Sequence, residues 1–243
     1  MSSQRKTLAE LRLAVRNVCD EPSASFWSES QLTSYINRAK DRVWQEVNKL
    51  RDDYFALDRT SLDGTVTIFG ASYATSSFAI VAGTRTYSLP PDMNTIRLIE
   101  CITSTYEDVS FAYRGLDHPD MIAARAIVDR MPPTCFYFHV LSERTLTIAP
   151  LSDTALDLRL IYIPIIADLS AESDELEMKH PLYEAVVCWA ASLALRQDRN
   201  LEMAGAWEQS ARAVIADAIG AHSRQEKDPI FIRAYLGEYT GNF

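Results

Sequence analysis

The chain has 243 residues, 47% of them hydrophobic and 23% charged, with only 8 glycines. This excludes whole-chain disorder and the collagen-like and low-complexity classes, and the length allows one large domain or two small ones. A formal charge of −9, from 24 basic and 33 acidic residues, argues against a free-standing nucleic-acid binder with a basic face.

The charge is unevenly spread. Residues 1–60 hold 10 basic and 9 acidic groups (net +1), residues 61–175 hold 7 and 15 (net −8), and residues 176–243 hold 7 and 9 (net −2). The acidity is central, and no segment is strongly basic. Met1 to Arg16 carries Arg5, Lys6, Glu10, Arg12 and Arg16 and lacks the apolar core of a signal peptide. The uncharged run Gly64–Thr84 is rich in Thr, Ser, Gly and Tyr and alternates, so it does not read as a membrane span. A soluble protein made in a cytoplasm is expected.

The first part reads as helix. Leu8, Leu11, Val15 and Val18 recur at three and four residues and mark one helix face. Glu21-Pro22-Ser23 interrupts the pattern. Ser28-Glu29-Ser30-Gln31 has the form of a capping box, with Phe26-Trp27 placed as a hydrophobic staple. The stripe Leu32, Tyr35, Ile36, Ala39, Val43, Val47, Leu50 predicts a helix of about six turns.

The middle changes period. Thr65–Phe69, Ser77–Val81 and Thr86–Leu89 alternate and predict strands. Ile96–Ile102 reads as another. Phe136–Val140 and Thr145–Ala149 flank a short polar turn, a hairpin signal. Leu156–Ile163 reads as a half-exposed strand. One helix interrupts, opened by His118-Pro119 and running through Met121, Ile122 and Ile127.

The last part returns to helix. His180-Pro181 opens Leu182–Arg196, whose core Ala185–Leu195 has no charge on any face. Such a helix is buried all round, inside a bundle or at a subunit interface. Asn200 starts another, with Ala204, Trp207, Ala211, Val214, Ile215 and Ala218. From about Ser223 the periodicity stops. The expected fold is α+β: an antiparallel bundle of N- and C-terminal helices (1–60 and 176–222), an inserted β-rich domain (61–175) and an extended C-terminal tail (223–243).

Signals for chemistry are poor. There is no phosphate-binding glycine loop, no dinucleotide fingerprint and no H-E-x-x-H. Gly70-Ala71-Ser72-Tyr73-Ala74 lacks the second glycine of a nucleophile elbow and reads as a loop between strands. His180 and Glu184, four apart, have metal-ligand spacing, but His180 reads first as a capping or surface residue. His139 reads as a solvent-face strand residue. Glu172, Asp174, Glu175 and Glu177 read as a solvated loop. Cys19, Cys101, Cys135 and Cys188 are far apart in sequence and are expected to be reduced and mostly buried. No catalytic residue, metal site or cofactor is expected.

The tail carries Ile230, Phe231, Ile232, Tyr235, Tyr239 and Phe243 among charges and glycines. It either folds back on its own bundle or inserts into a partner. Fixing about 20 residues costs on the order of 20–40 kcal/mol of backbone entropy. Burying four to six large apolar side chains returns roughly 6–18 kcal/mol. Insertion therefore needs helix or strand pairing with the partner, or many copies acting together.

Several of these patterns fall in a familiar order. They are Leu8-x-x-Leu11-Arg12-x-x-Val15-Arg16, then Phe26-Trp27-Ser28 with Leu32-x-x-Tyr35-Ile36-Asn37-x-Ala39. Tyr54-Phe55, Tyr87-Ser88-Leu89-Pro90-x-Asp92 and Leu146-x-Ile148-x-Pro150 follow. Last come Pro181 with Tyr183-Glu184-Ala185, and Ala190-Ala191. In this order the chain resembles the head-to-tail adaptor (connector) proteins of tailed bacteriophages. The resemblance implies a virion structural protein of the neck, made in the host cytoplasm. It implies a homo-oligomeric ring, commonly of twelve subunits, beneath the portal ring, with tail or nozzle proteins on its other side. DNA would pass through without sequence-specific binding, and the acidic balance suits such a conduit because a negative lumen repels phosphate. The tail residues become candidates for portal anchoring, and truncation after Arg224 is expected to leave a folded subunit that no longer joins the portal. The resemblance transfers no active site, cofactor or membrane anchor. Gly64–Thr84 and the helix from Pro119 have no match in it. Two alternatives remain open on sequence: a tail-associated peptidoglycan hydrolase with an acidic pair in the β insert, and a carbohydrate-binding module.

Overall fold

The computed structural model describes residues 5–21, 26–51, 53–106, 108–127, 134–141, 144–178 and 180–226. The protein is mixed α+β, with five α-helices and three separate sheets among the described residues. It divides into two compact units, Met1–Asp52 with Asp168–Phe243, and Asp53–Ala167.

The first unit holds α1 (Leu8–Val18), α2 (Glu29–Leu50), α4 (Leu182–Gln197) and α5 (Leu201–Glu226). Each of the first two starts on a capping box, Thr7 with Glu10 and Ser28 with Gln31. Trp27, ahead of the second box, is buried, while Phe26 is exposed. Most of the apolar stripe of α2 sinks, since Leu32, Ile36, Ala39, Val43 and Val47 have no exposed surface, but Tyr35 is half-buried and Leu50, at the end of the helix, is exposed. The uncharged core of α4 is explained by its neighbours: it packs against α1, α2 and α5. The guanidinium groups of Arg42 on α2 and Arg212 on α5 both stand over the Trp189 ring of α4, at 5.6 and 5.9 Å. Buried Ala204, Ala211, Ile215 and Ala218 mark the inner face of α5, which runs on to Glu226.

The first-turn N–H groups of α1 have no partners within the helix. The loop before α4 supplies two. Leu8 N–H donates to the Asp174 carbonyl (2.8 Å) and Ala9 N–H to that of Glu172 (3.2 Å). The Asp174 carboxylate accepts from Ser170 N–H (2.7 Å) and Ala171 N–H (2.8 Å). These backbone donors hold its pKa below the usual carboxylate range. The acidic run read as a solvated loop is thus exposed but pinned.

The described residues of the second unit form nine strands and α3 (Pro119–Ala126). One sheet has the order β1 (Leu57–Thr60), β9 (Leu158–Pro164), β5 (Met93–Cys101). Another has the order β4 (Thr86–Ser88), β8 (Thr145–Ala149), β7 (Cys135–Leu141), β6 (Ser110–Tyr113). All pairs in them are antiparallel except β6–β7, which is parallel. The register of β5 on β9 is irregular twice, between Met93 and Thr95 and between Ile96 and Leu98. The core gathers Phe78, Ile80, Tyr87, Phe136, Phe138, Leu146, Ile148, Leu156, Leu158, Leu160 and Tyr162. Alternation along β7 sends Phe136 and Phe138 into this core and Tyr137 to the other face. There Tyr137 packs with Ala149 and with Met121 and Ala124 of α3.

Ser77–Val81 is not a strand. Thr75–Phe78 is a 3₁₀ turn, and Ile80 then makes one isolated bridge to Leu156. Phe78 and Ile80 are both buried, which produces the alternating signal without a ladder. The Ser77 hydroxyl bonds the Tyr73 hydroxyl (2.6 Å) and the Ser88 carbonyl (3.1 Å), which fixes the turn.

β2 (Thr65–Ile68) and β3 (Ala71–Ala74) form a separate hairpin. Its two-residue turn is Phe69-Gly70, at φ 51° and 77°. Two positive φ values favour Asn-Gly, and phenylalanine there is strained. The Phe69 ring is also 51% exposed, so burial offsets little of that strain. Phe69→Asn is expected to stabilise the protein by about 0.5–1 kcal/mol, seen as a higher urea midpoint. A lower midpoint would show that the ring contributes more than the turn loses.

Candidate functional site

Arg12, Arg16 and Asn37, polar residues of the first motifs, lie at two anchor points in the helical unit. At the first, Arg16 is 5% exposed although charged. Its guanidinium donates to the Glu21 carboxylate (3.0 Å), the Trp27 carbonyl (2.9 Å) and the Glu29 carboxylate (2.8 Å). Glu21 also accepts from the N–H groups of Phe26 and Trp27. One turn earlier, Arg12 donates to the Thr33 hydroxyl (2.7 and 3.0 Å) and pairs with Glu29 (3.3 Å). The two arginines therefore lock the end of α1 to the start of α2. At the second, the Asn37 amide makes a two-bond pair with the Leu169 backbone, 2.9 Å each way, as a strand neighbour would. Beside it Lys40, fully buried, donates to Asp168 (2.6 Å) and pairs with Asp41 (3.4 Å). This clamp fixes the chain where it re-enters the helical unit.

A third feature is a groove of about 290 Å³ between α1 and α4. Leu11, Ala14 and Val18, on one face of α1, line one wall. Tyr183, Val187 and Cys188 of α4 line the other, and Lys6, Glu10 and Glu184 form the rim. The Cys188 thiol is pushed up in pKa by burial and then by the Glu184 charge. Cys19, at the end of α1, is pushed up to about 11 by burial and by Glu21. Both thiols are held protonated at neutral pH, the reverse of what a nucleophile needs. The cysteines are all free, but only Cys101 is fully buried and the other three are half-buried. This corrects the expectation of mostly buried thiols.

The histidines are dispersed. His118 caps α3, its Nδ1 accepting from Asp120 N–H (3.2 Å). His180 is exposed and sets its ring edge-on to Tyr183 at 4.9 Å. His139 is not a solvent-face residue: it is half-buried, and its Nδ1 is buried without a hydrogen-bond partner among the described residues. The cause is its place on inner strand β7, opposite buried Thr147. Among the described residues no His, Cys, Asp or Glu cluster could hold a metal ion. Ser72 lies in β3, on the hairpin, with no elbow turn into a helix. Glu10, Asp58, Asp63 and Asp174 are each held below the usual carboxylate range by hydrogen bonds, from Thr7, Arg159, Thr60 and Ser170 respectively. At neutral pH these groups are carboxylate anions.

The tail candidates Ile230, Phe231, Ile232, Tyr235, Tyr239 and Phe243 lie outside the described residues. The Arg16 network, the Asn37–Lys40 clamp and the groove were not identified from the sequence. The signal for the clamp was an asparagine and a lysine flanking Ala39 within an apolar stripe.

The family model described as SU10 adaptor protein matches residues 6–233. The chain belongs to the SU10 adaptor protein family. No curated protein matches it. The adaptor-family match spans nearly the whole chain, both helical ends and the β-rich middle included. It bears out the resemblance to phage head-to-tail adaptors and gives the protein a structural adaptor role in the virion. No helix among the described residues of this adaptor is long and apolar enough to cross a membrane.

Proposed function

We propose that the protein is a ring-forming head-to-tail adaptor, of twelve copies, that sits beneath the portal and connects capsid to tail. The observation that carries this reading is the adaptor-family match over residues 6–233. In this proposal the N- and C-terminal helices form an antiparallel bundle that makes the ring. The β-rich unit (Asp53–Ala167) meets tail or nozzle proteins, and the segment past α5 (227–243) reaches the portal. Ile230, Phe231, Ile232, Tyr235, Tyr239 and Phe243 are the anchors. DNA passes through the ring without specific contacts, favoured by the acidic middle segment.

The first test is mass by light scattering, on the protein alone and mixed with its phage's portal ring. One adaptor per portal subunit is the expected stoichiometry, even if the free protein is monomeric. No association at any salt concentration would overturn the reading. Deleting residues 227–243, just past the end of α5, should leave a folded subunit that does not join the portal. Normal attachment by that variant would remove the tail from the proposal.

A further inference from the structure

The α1–α4 groove is apolar along its floor and sized for side chains. Its 290 Å³ falls at the lower limit of small-molecule pockets, which run from about 300 to 1,000 Å³. One or two large side chains of a peptide fill it, and a cofactor does not. On its rim Glu184 is exposed and has no cation partner among the described residues.

A segment of this chain has both the reach and the chemistry. Arg212 lies level with Trp189, and α5 continues from there for about 21 Å to Glu226. The groove residues Tyr183 to Cys188 lie only about 2–9 Å beyond Trp189 in the same direction. A returning chain must therefore cover about 12–19 Å along the bundle and about 10 Å across it. Residues 230–235 follow Glu226 by four to nine positions, a reach of about 13–30 Å when extended. This stretch is Ile230-Phe231-Ile232-Arg233-Ala234-Tyr235. It offers apolar side chains for the floor and one cation for Glu184, whereas Glu10 already pairs with Lys6 at 3.8 Å.

We propose that, in the free subunit, Ile230–Tyr235 docks into the α1–α4 groove of its own chain, with Phe231 in the floor and Arg233 at the Glu184 rim. The docked state hides the aromatic anchors until a partner competes for them. Cis docking benefits from a high effective concentration, yet one small groove holds the segment weakly enough for a ring of partner sites to extract it. The release step rests on the adaptor reading of the tail; the docking step does not.

Cys188 is the native reporter. Its alkylation by N-ethylmaleimide, followed by peptide mass spectrometry, is compared in the full chain and in the chain lacking residues 227–243. Cys19, in the same helical unit but outside the groove, serves as the unfolding control. The deletion is expected to raise the Cys188 rate at least about threefold, since protection grows with the docking equilibrium. Phe231→Asp in the full chain should do the same, and this variant decides the matter if the deletion exposes Cys19. Equal rates in all three proteins overturn the proposal. Protection that strengthens with protein concentration also overturns it, because the occupant is then a second copy's tail. Portal rings added to the full chain should raise the Cys188 rate. Bound portal with Cys188 still protected overturns the release step, whereas portal that never binds overturns the adaptor reading and leaves docking intact.

Discussion

Arg16→Met is expected to destabilise the helical unit by about 3–5 kcal/mol, read as a lower urea midpoint with an unchanged slope. The size follows from what is left behind. Glu21 keeps only 10% of its side-chain surface exposed, so without Arg16 its carboxylate stays buried with backbone N–H donors and loses its close counter-charge. Lys40→Met supplies the contrast. Lys40 is even more buried, but the two carboxylates it pairs with, Asp168 and Asp41, are 74% and 60% exposed. They stay hydrated when the ammonium is removed, and a methionine fills much of the space. That substitution should cost less than Arg16→Met. Arg16→Met combined with Glu21→Leu should recover part of the loss. Equal costs for the two single variants would refute the argument that partner burial sets the penalty.

The second large effect is at Tyr162, in the other unit. Its hydroxyl donates to the buried Asp92 carboxylate (2.9 Å) and accepts from Arg59 Nε (2.9 Å). Tyr162→Phe removes both bonds and should cost about 1.5–3 kcal/mol. The same burial pushes the phenol pKa far up, with the Arg59 bond opposing and the Asp92 charge adding to the shift. Tyr54, Tyr73 and Tyr87 are raised by burial too. A folded-state pKa above the unfolded one favours the neutral phenol in the fold. This contribution is complete below about pH 10, the unfolded value, and is lost as pH climbs through the folded values. Absorbance at 295 nm should therefore show the exposed tyrosines titrating first and a later step coinciding with loss of the near-ultraviolet circular dichroism. A single smooth titration of all 11 tyrosines with the fold retained would contradict this.

How much was legible depended on whether the signal was local. The stripe and capping box of α2 could be read because period and cap are set within a few residues. So could the β7–β8 hairpin, whose strands are neighbours in sequence. β1 gave no pattern, because Leu57-Asp58-Arg59-Thr60 becomes a strand only by pairing with β9, about 100 residues on. The parallel β6–β7 pair was invisible for the same reason. Ser77–Val81 misled because two core positions two residues apart look like a strand whether or not a ladder exists. Arg16, Asn37 and Lys40 looked like the polar face of helices. Only the structure shows that their partners sit on segments that must be held. The groove joins residues of α1 and α4 more than 160 positions apart, so no window of sequence contains it.

The irregular register of β5 has a consequence for how this sheet meets other chains. An open sheet margin is a template on which a like chain can polymerise without end. Here the outer strands β1, β4 and β6 have 4, 3 and 4 residues, too few to template much. β5 alone is long, with 9 residues, and it is the one interrupted twice. Each interruption throws successive N–H and C=O groups out of line for an incoming strand. Growth by strand addition is thereby disfavoured along β5, the longest outer strand among the described residues.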